Sequence, residues 1–204
     1  SNENKVLFDF LRTGTYDRNR DFVLTSSPSM DILISSNLER LIYLIAGEDA
    51  ERNRNLMMQL SVSGKYEIST QMQEKLQDFY GEYATEKETA QTIASLFDKC
   101  GYVIDPHTAV ASCVYRKYKK QTGDETKTVI ASTASPYKFT RSVITAIEED
   151  GGEADDFALA DRLSSLSGVK IPEAVESIRK APVLHETICE KEEMADVVKR
   201  YLGI

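Results

Sequence analysis

Twice in this chain, a short apolar run is followed by a residue that caps helices and then by a proline. Residues 102–104 precede Asp105-Pro106, and residues 128–131 come shortly before Ser135-Pro136. Aspartate and serine favour the N-cap position, and proline suits the first helical residue because it has no backbone N–H to leave unbonded. The pattern predicts two short parallel strands, each leading into a helix, joined by a right-handed crossover.

Two hydroxyl residues, Ser132 and Thr133, follow the second of these apolar runs. They stand at the carboxyl end of a predicted strand, which is where open α/β sheets bind their ligands. The alternative is that both hydroxyls only cap and solvate a tight turn. These residues by themselves leave both interpretations open.

The rest of the chain is predominantly helical in pattern. A strongly apolar helix is predicted over residues 30–46, and residues 22–24 are a strand candidate. Gly151-Gly152 is a break in the pattern. Further helices are predicted over residues 5–12, 50–63, 70–80, 85–100, 106–120, 137–149, 155–166, 172–180 and 191–202. The sequence therefore predicts a helix-rich α/β fold with too few strands for a complete sheet.

Charge and cysteine content exclude several classes of function. The 204 residues carry a net charge of −8, which argues against a nucleic-acid surface because phosphate binding needs clustered Lys and Arg. The basic run at residues 116–120 fits the solvated last turn of a helix. Cys100, Cys113 and Cys189 are odd in number and widely spaced, so they indicate neither disulfides nor a metal site. Because no apolar run reaches membrane-spanning length, we expect no membrane partner and a cytoplasmic location.

Five segments of the chain carry longer motifs. They are Phe10-Leu11-Arg12-Thr13-Gly14-Thr15-Tyr16, Ser27-Pro28-Ser29-Met30-Asp31-Ile32-Leu33-Ile34-Ser35-Ser36-Asn37, Asp105-Pro106-His107-Thr108-Ala109-Val110-Ala111, Ser132-Thr133-Ala134-Ser135-Pro136-Tyr137-Lys138-Phe139, and a tail from Ile171-Pro172-Glu173-Ala174 through Ala181-Pro182-Val183-Leu184-His185. In this order they resemble the C-terminal part of threonine synthase, an enzyme that uses pyridoxal 5'-phosphate (PLP). Threonine dehydratase and other PLP enzymes of the same fold lack the second segment.

The resemblance implies a fold and a reaction. The fold is PLP fold type II, the tryptophan-synthase-β-like architecture, present here as a helix-rich α/β fragment with a few parallel strands. Residues 1–150 then form the C-terminal part of the PLP-binding α/β domain, with a helical insertion at about residues 50–81, and residues 151–204 form a C-terminal helical segment. The parent enzyme is a PLP-dependent lyase that converts O-phospho-L-homoserine and water to L-threonine and phosphate.

The resemblance also implies a cofactor contact. In the family the ring nitrogen of PLP faces a neutral hydroxyl, and the pattern Gly-Thr-Ala-x-Pro-x-Lys-Phe aligns that hydroxyl with Thr133. Ser132 stands where many relatives have glycine, so its hydroxyl is the alternative contact. No catalytic or metal-binding residue is assigned to this chain. His107 fits a structural position in the first turn of a helix, Lys138 faces either a phosphate or an acid on its own helix, and His185 has no predicted role.

Two motifs of the family are missing from these residues: the Phe-Lys-Asp context of the lysine that holds PLP, and the Ser-Gly-Asn phosphate loop. We therefore expect a C-terminal fragment that is inactive alone and that self-associates through surfaces left exposed. The alternative is a non-catalytic threonine-synthase-like domain used for binding. A Phe-Lys-Asp lysine encoded upstream would favour the enzyme, and its replacement would favour the binding domain.

The missing lysine gives a first prediction. We expect PLP to attach covalently to no particular lysine of this chain, because the lysine of the family's Phe-Lys-Asp context does not occur in it. Mixing the chain with PLP, reducing with borohydride and mapping the peptides should reveal no single dominant modified lysine. Stoichiometric labelling of one lysine would contradict this expectation.

Overall fold

The structure is a computed structural model that describes residues 1–148 and 154–204. The chain divides into two compact units, Ser1–Ile171 and Pro172–Ile204. The first half of the first unit contains, in order, α1 (Val6–Thr13), β1 (Thr15–Asp17), a 3-10 turn (Pro28–Met30), α2 (Leu38–Ile45), α3 (Ala50–Ser63), β2 (Lys65–Glu67) and α4 (Thr70–Glu74).

An aromatic cluster forms the core of this first half. Strands β1 and β2 pair antiparallel with Tyr16 opposite Tyr66, and the two rings stack with their centroids 5.3 Å apart. The Phe10 ring from α1 meets Tyr66 edge-on at 5.9 Å. Ile42 from α2 and Met72 from α4 are fully buried in the same cluster. The two short strands are therefore held by their side chains as much as by their backbone pairing.

The second half of the first unit is a layer of packed helices. It contains α5 (Glu86–Cys100), α6 (Pro106–Thr122), a 3-10 turn (Pro136–Lys138), α7 (Thr140–Ile147) and α8 (Asp156–Ser167). Helix α5 packs against α6 and α7, and α7 packs against α8. The side chains buried in this layer include Ile93, Val110, Val143, Ile144 and Leu163.

Local capping explains where these helices begin and end. Thr85 and Glu88 form a capping box at the start of α5, and Asp105 caps α6 ahead of Pro106. Gly101 and Gly123 end the two helices with φ values of +66° and +71°, a left-handed conformation that favours glycine. The predicted helix at 85–100 is confirmed, and α6 begins at the predicted residue.

The second unit is described separately. It contains α9 (Glu173–Lys180), a 3-10 turn (Lys191–Glu193) and α10 (Met194–Leu202). The predicted helix at 172–180 is confirmed as α9, and the one at 191–202 is divided between the 3-10 turn and α10.

The helix-rich α/β class is confirmed, but the predicted parallel strands are wrong. Residues 102–104 and 128–131 take part in no strand of the described chain, and neither do residues 22–24. Val129, in the second of the predicted strands, is 94% exposed. A strand is stable only when its backbone groups pair with a neighbour, and no described strand lies beside these segments. The only pair found in the described ranges is antiparallel.

The apolar helix predicted over residues 30–46 is shorter than its pattern suggested. Helix α2 begins at Leu38, and residues 31–37 form an irregular segment after the 3-10 turn. Polar groups from elsewhere explain the difference, because they bond to both backbone and side-chain atoms of this segment. The Tyr16 hydroxyl contacts Leu33 and Ser35, and the Asp31 side chain is bonded to Asn2. Such bonds compete with the helical pattern.

Two other helices also differ from their predicted limits. The helix predicted at 70–80 is the shorter α4, ending at Glu74. The one predicted at 137–149 is a 3-10 turn followed by α7, because the backbone of Phe139 departs from helical geometry with φ at −130°. Residue 149 and the predicted break at 151–152 lie outside the described residues. The first compact unit extends to Ile171, and within it α8 packs against α7.

No helix within the described ranges is both long enough and apolar enough to span a bilayer.

The exposed apolar residues lead to a prediction about association. Val129 is 94% exposed and Leu44, on α2, is 57% exposed. Exposed apolar surface and unpaired segments favour association. We expect light scattering over a dilution series to show a mass that rises with concentration, or precipitation. A monodisperse monomer at high concentration would show that this chain folds as a self-contained unit.

Candidate functional site

The Asp105 carboxylate lies at the centre of the candidate site. Its side chain is completely buried, and it caps α6 by accepting hydrogen bonds from the backbone N–H groups of His107, at 2.9 Å, and Thr108, at 3.4 Å. The Thr108 hydroxyl also donates to this carboxylate. The His107 ring contacts it as well, with Nδ1 2.9 Å from Oδ1. Four donors of the first helical turn thus bond to the buried Asp105 carboxylate. These hydrogen bonds offset the cost of burying its charge.

Thr108 links this carboxylate to the segment that follows residue 131. The Thr108 and Ser132 hydroxyl oxygens lie 2.8 Å apart. An ionised carboxylate only accepts hydrogen bonds, so the single Thr108 proton points to Asp105. Ser132 therefore donates its proton to Thr108, and its hydroxyl is committed to this bond.

Thr133, the predicted cofactor contact, is exposed next to this bond. No hydrogen bond joins its hydroxyl to any other residue in the described part of the chain. The two candidate hydroxyls are thus distinguished by their surroundings. Ser132 is used by the protein itself, whereas Thr133 remains available to a ligand.

His107 connects a third segment to the same centre. Its Nε2 atom accepts a hydrogen bond of 3.1 Å from the backbone N–H of Ser29, in the 3-10 turn Pro28–Met30. Its ring also lies against the Phe139 ring, with the centroids 4.7 Å apart. Three of the motif segments, around Ser29, Asp105 and Ser132, are therefore joined through a continuous set of side-chain contacts.

A buried polar network holds the other side of the 3-10 turn. The Asn2 amide donates to the Ser27 hydroxyl at 3.0 Å and to Asp31 Oδ1 at 2.7 Å. Thr25 donates to Asp31 through both its backbone N–H and its hydroxyl. Asn2 and Ser27 are almost completely buried, and Met30 packs against the cluster formed by Ala84, Val110 and Cys113. The turn is thus fixed on both sides by named contacts.

Tyr16 fixes the segment that follows the turn. Its hydroxyl donates to the Leu33 carbonyl at 3.0 Å and accepts from the Ser35 N–H at 2.8 Å. Burial raises the pKa of the Tyr16 phenol above its usual value, and the Ser35 hydrogen bond opposes this only in part. The phenol therefore stays protonated at neutral pH and keeps its bond to Leu33.

The remaining sequence candidates lie outside this set of contacts. Lys138 is exposed, with its Nζ 5.8 Å from the Phe139 ring centroid, and His185 is exposed in the second unit. Cys113 is buried in the core and Cys100 is exposed on α5. Across residues 1–148 and 154–204, no group of His, Cys, Asp and Glu could hold a metal ion.

Sequence reasoning missed the supporting residues of this site. Nothing in the pattern around Asn2, Thr25 or Tyr16 indicates that they hold residues 27–35 in place. The bond between Ser29 and His107 joins residues 78 positions apart and has no local signal in the sequence.

The convergence on Asp105 predicts an unusually large loss of stability on its removal. Replacing an N-cap aspartate by alanine costs about 1 kcal/mol, but Asp105→Ala also leaves the His107 and Thr108 side chains without their acceptor, so we expect about 2–3 kcal/mol. The matched control is Asp49→Ala at the exposed N-cap of α3, where the carboxylate accepts from Arg52 N. Urea unfolding measures both. Equal losses for the two variants would contradict this account of Asp105.

Comparisons with known proteins show which chains this one is similar to. Residues 108–189 match the family model described as "Threonine synthase, C-terminal". The chain is 40% identical over 150 residues to threonine synthase-like 1 of Macaca fascicularis, covering 72% of this chain and 20% of that protein. It is 33% identical over 186 residues to threonine synthase of Saccharomyces cerevisiae, covering 83% of this chain and 36% of that enzyme.

Two solved structures share the fold. The crystal structure of threonine synthase from yeast superposes with a TM-score of 0.80 at 27% identity, covering 99% of this chain and 41% of the other. The PLP-bound threonine synthase from Brucella melitensis has a TM-score of 0.65 at 31% identity, with 83% and 40% covered. The chain thus spans less than half the length of each of these relatives. Residues 108–189 are thus similar to the C-terminal domain of threonine synthases, and the fold over 99% of the chain is similar to part of the yeast enzyme.

Proposed function

We propose that this chain forms the C-terminal part of a threonine synthase, a PLP-dependent lyase that converts O-phospho-L-homoserine and water to L-threonine and phosphate. The observation that carries this proposal is the junction of the Ser29, Asp105 and Ser132 segments, which leaves the Thr133 hydroxyl free at its edge. The relative from Brucella melitensis is described as PLP-bound, which supports the choice of cofactor.

Thr133 fits the contact with the PLP ring nitrogen. Its hydroxyl is exposed and is bonded to no other described residue, so it can donate to an unprotonated nitrogen. When bound, PLP supplies an electron sink that stabilises carbanions of the substrate. A neutral hydroxyl does not raise the pKa of the ring nitrogen, whereas a carboxylate would.

The burial of Asp105 supports the assignment of Thr133, because a buried carboxylate does not face the ligand. It is the carboxylate of the junction, but it is fully buried and accepts bonds from His107 and Thr108. The Asp105 carboxylate is therefore bonded to groups inside the protein, and the group that faces the cofactor is the Thr133 hydroxyl. Ser132 contributes by donating to Thr108, which orients the backbone just before Thr133.

The isolated chain is proposed to be inactive, because no Phe-Lys-Asp lysine occurs in it. O-Phosphohomoserine and PLP are then ligands of the parent enzyme, and binding of PLP by this chain alone is expected to be negligible. We place the parent enzyme in the cytoplasm. The predicted domain limits at residues 150 and 151, and the helical insertion at about 50–81, remain part of this proposal.

A second function has a specific observation in its favour. Relatives named threonine synthase-like 1, from macaque and from human, are each 40% identical to this chain, compared with 33% for the yeast threonine synthase. A non-catalytic threonine-synthase-like protein would retain the Asp105 junction but use it for binding. The protein encoded together with its upstream residues distinguishes the two, because only the enzyme releases phosphate from O-phospho-L-homoserine with formation of threonine.

Thr133 provides the decisive variants in that longer protein. Thr133→Val keeps the shape but removes the hydroxyl, so we expect weaker PLP binding and slower turnover, equivalent to about 1–3 kcal/mol for one lost buried hydrogen bond. Thr133→Ser retains the hydroxyl and should recover most of both. Ser132→Gly is the control for the neighbouring position and should have a smaller effect.

PLP affinity from fluorescence titration and the rate of threonine formation are the two measurements. Unchanged affinity and rate in Thr133→Val would refute the assignment of Thr133. PLP binding with no threonine formed by the unaltered protein would favour the non-catalytic alternative.

A further inference from the structure

The His107 ring contacts all three segments of the junction. Its Nδ1 lies 2.9 Å from Asp105, its Nε2 lies 3.1 Å from the backbone nitrogen of Ser29, and its ring centroid lies 4.7 Å from that of Phe139. The side chain is only 12% exposed, so these contacts define its environment.

The tautomer of the neutral ring follows from its partners. The Ser29 backbone N–H can only donate, so Nε2 must offer a lone pair. The proton of the neutral ring therefore lies on Nδ1, where it is donated to the Asp105 carboxylate. This arrangement is one of two tautomers that a neutral histidine can adopt, and the contacts select it.

We propose that His107 is a positioning residue that locks the Pro28–Met30 turn to Asp105, and thereby sets the position of the turn relative to Thr133. On the side of the turn that faces α6, the apolar packing of Met30 against the cluster of Ala84, Val110 and Cys113 is not directional, whereas the Ser29 bond is directional. The significance of this for catalysis rests on the proposed function, since it requires Thr133 to face the cofactor.

The tautomer is measured directly by nitrogen NMR of the imidazole rings in the 204-residue chain. The chain has two histidines, so the spectrum is simple, and the exposed His185 serves as an internal reference. The proposal requires the Nδ1–H form for neutral His107. A spectrum that shows the Nε2–H form for His107 overturns it, because that ring could not accept the Ser29 bond.

Two substitutions of His107 test the contacts of Nδ1 and Nε2 separately. Gln reaches the position of Nε2 and can accept the Ser29 N–H, whereas Asn reaches only the position of Nδ1 and can donate to Asp105. We expect amide hydrogen exchange at Ser29 to become about tenfold faster in His107→Asn and to stay close to that of the unaltered chain in His107→Gln. Exchange at Val110, buried in α6, should be the same in all three proteins.

Each outcome decides the proposal. Unchanged exchange at Ser29 in His107→Asn overturns it, because the bond to the turn would then be unimportant. Faster exchange at Val110 in both variants also overturns it, because His107 would then act as a packing residue for the helix. These measurements require neither PLP nor turnover. A result that contradicts the His107 proposal therefore leaves the Thr133 assignment untouched, and the reverse is also true.

Discussion

The buried Asp105 carboxylate is the interaction on which the arrangement of the site depends. It caps α6, receives the Thr108 hydroxyl, and contacts the Nδ1 atom of His107. Burying an ionised carboxylate is costly unless several donors compensate for the lost water, so each of these groups is held in place by the same requirement. Through His107 and Thr108, this one side chain links the Ser29 turn to the Ser132 segment.

The bonds to Asp105 also distinguish the neighbouring hydroxyls of Ser132 and Thr133. Thr108 gives its proton to Asp105, so it must accept from Ser132, and Ser132 has no proton left for a ligand. Thr133 is outside this chain of donors and keeps its own. The Asp105 charge is buried, and the hydroxyl available to a ligand is neutral. Such a site suits an unprotonated ring nitrogen, because no nearby negative charge raises the pKa of that nitrogen.

The sequence predicted the parts of this structure that depend on local signals. The limits of α5 and the start of α6 follow from Thr85, Asp105 and Gly101, whose effects act within one helical turn. Asp105 was likewise predicted as a cap. Strands at 102–104 and 128–131 were not formed, because pairing depends on partners distant in the sequence, and the Tyr16 bonds to residues 33–35 shortened the helix at 30–46. The Thr108–Ser132 and His107–Ser29 bonds span 24 and 78 residues, so only the folded chain reveals them.

The central claim is that this junction presents the Thr133 hydroxyl to the cofactor ring. A crystal structure of the PLP-bound protein, including the residues encoded upstream of this chain, tests it most directly. We expect the Thr133 oxygen to lie about 2.7–3.2 Å from the ring nitrogen, with Ser132 still bonded to Thr108 and Asp105 still buried. A carboxylate or the Ser132 hydroxyl at the ring nitrogen, with Thr133 turned away, would contradict it.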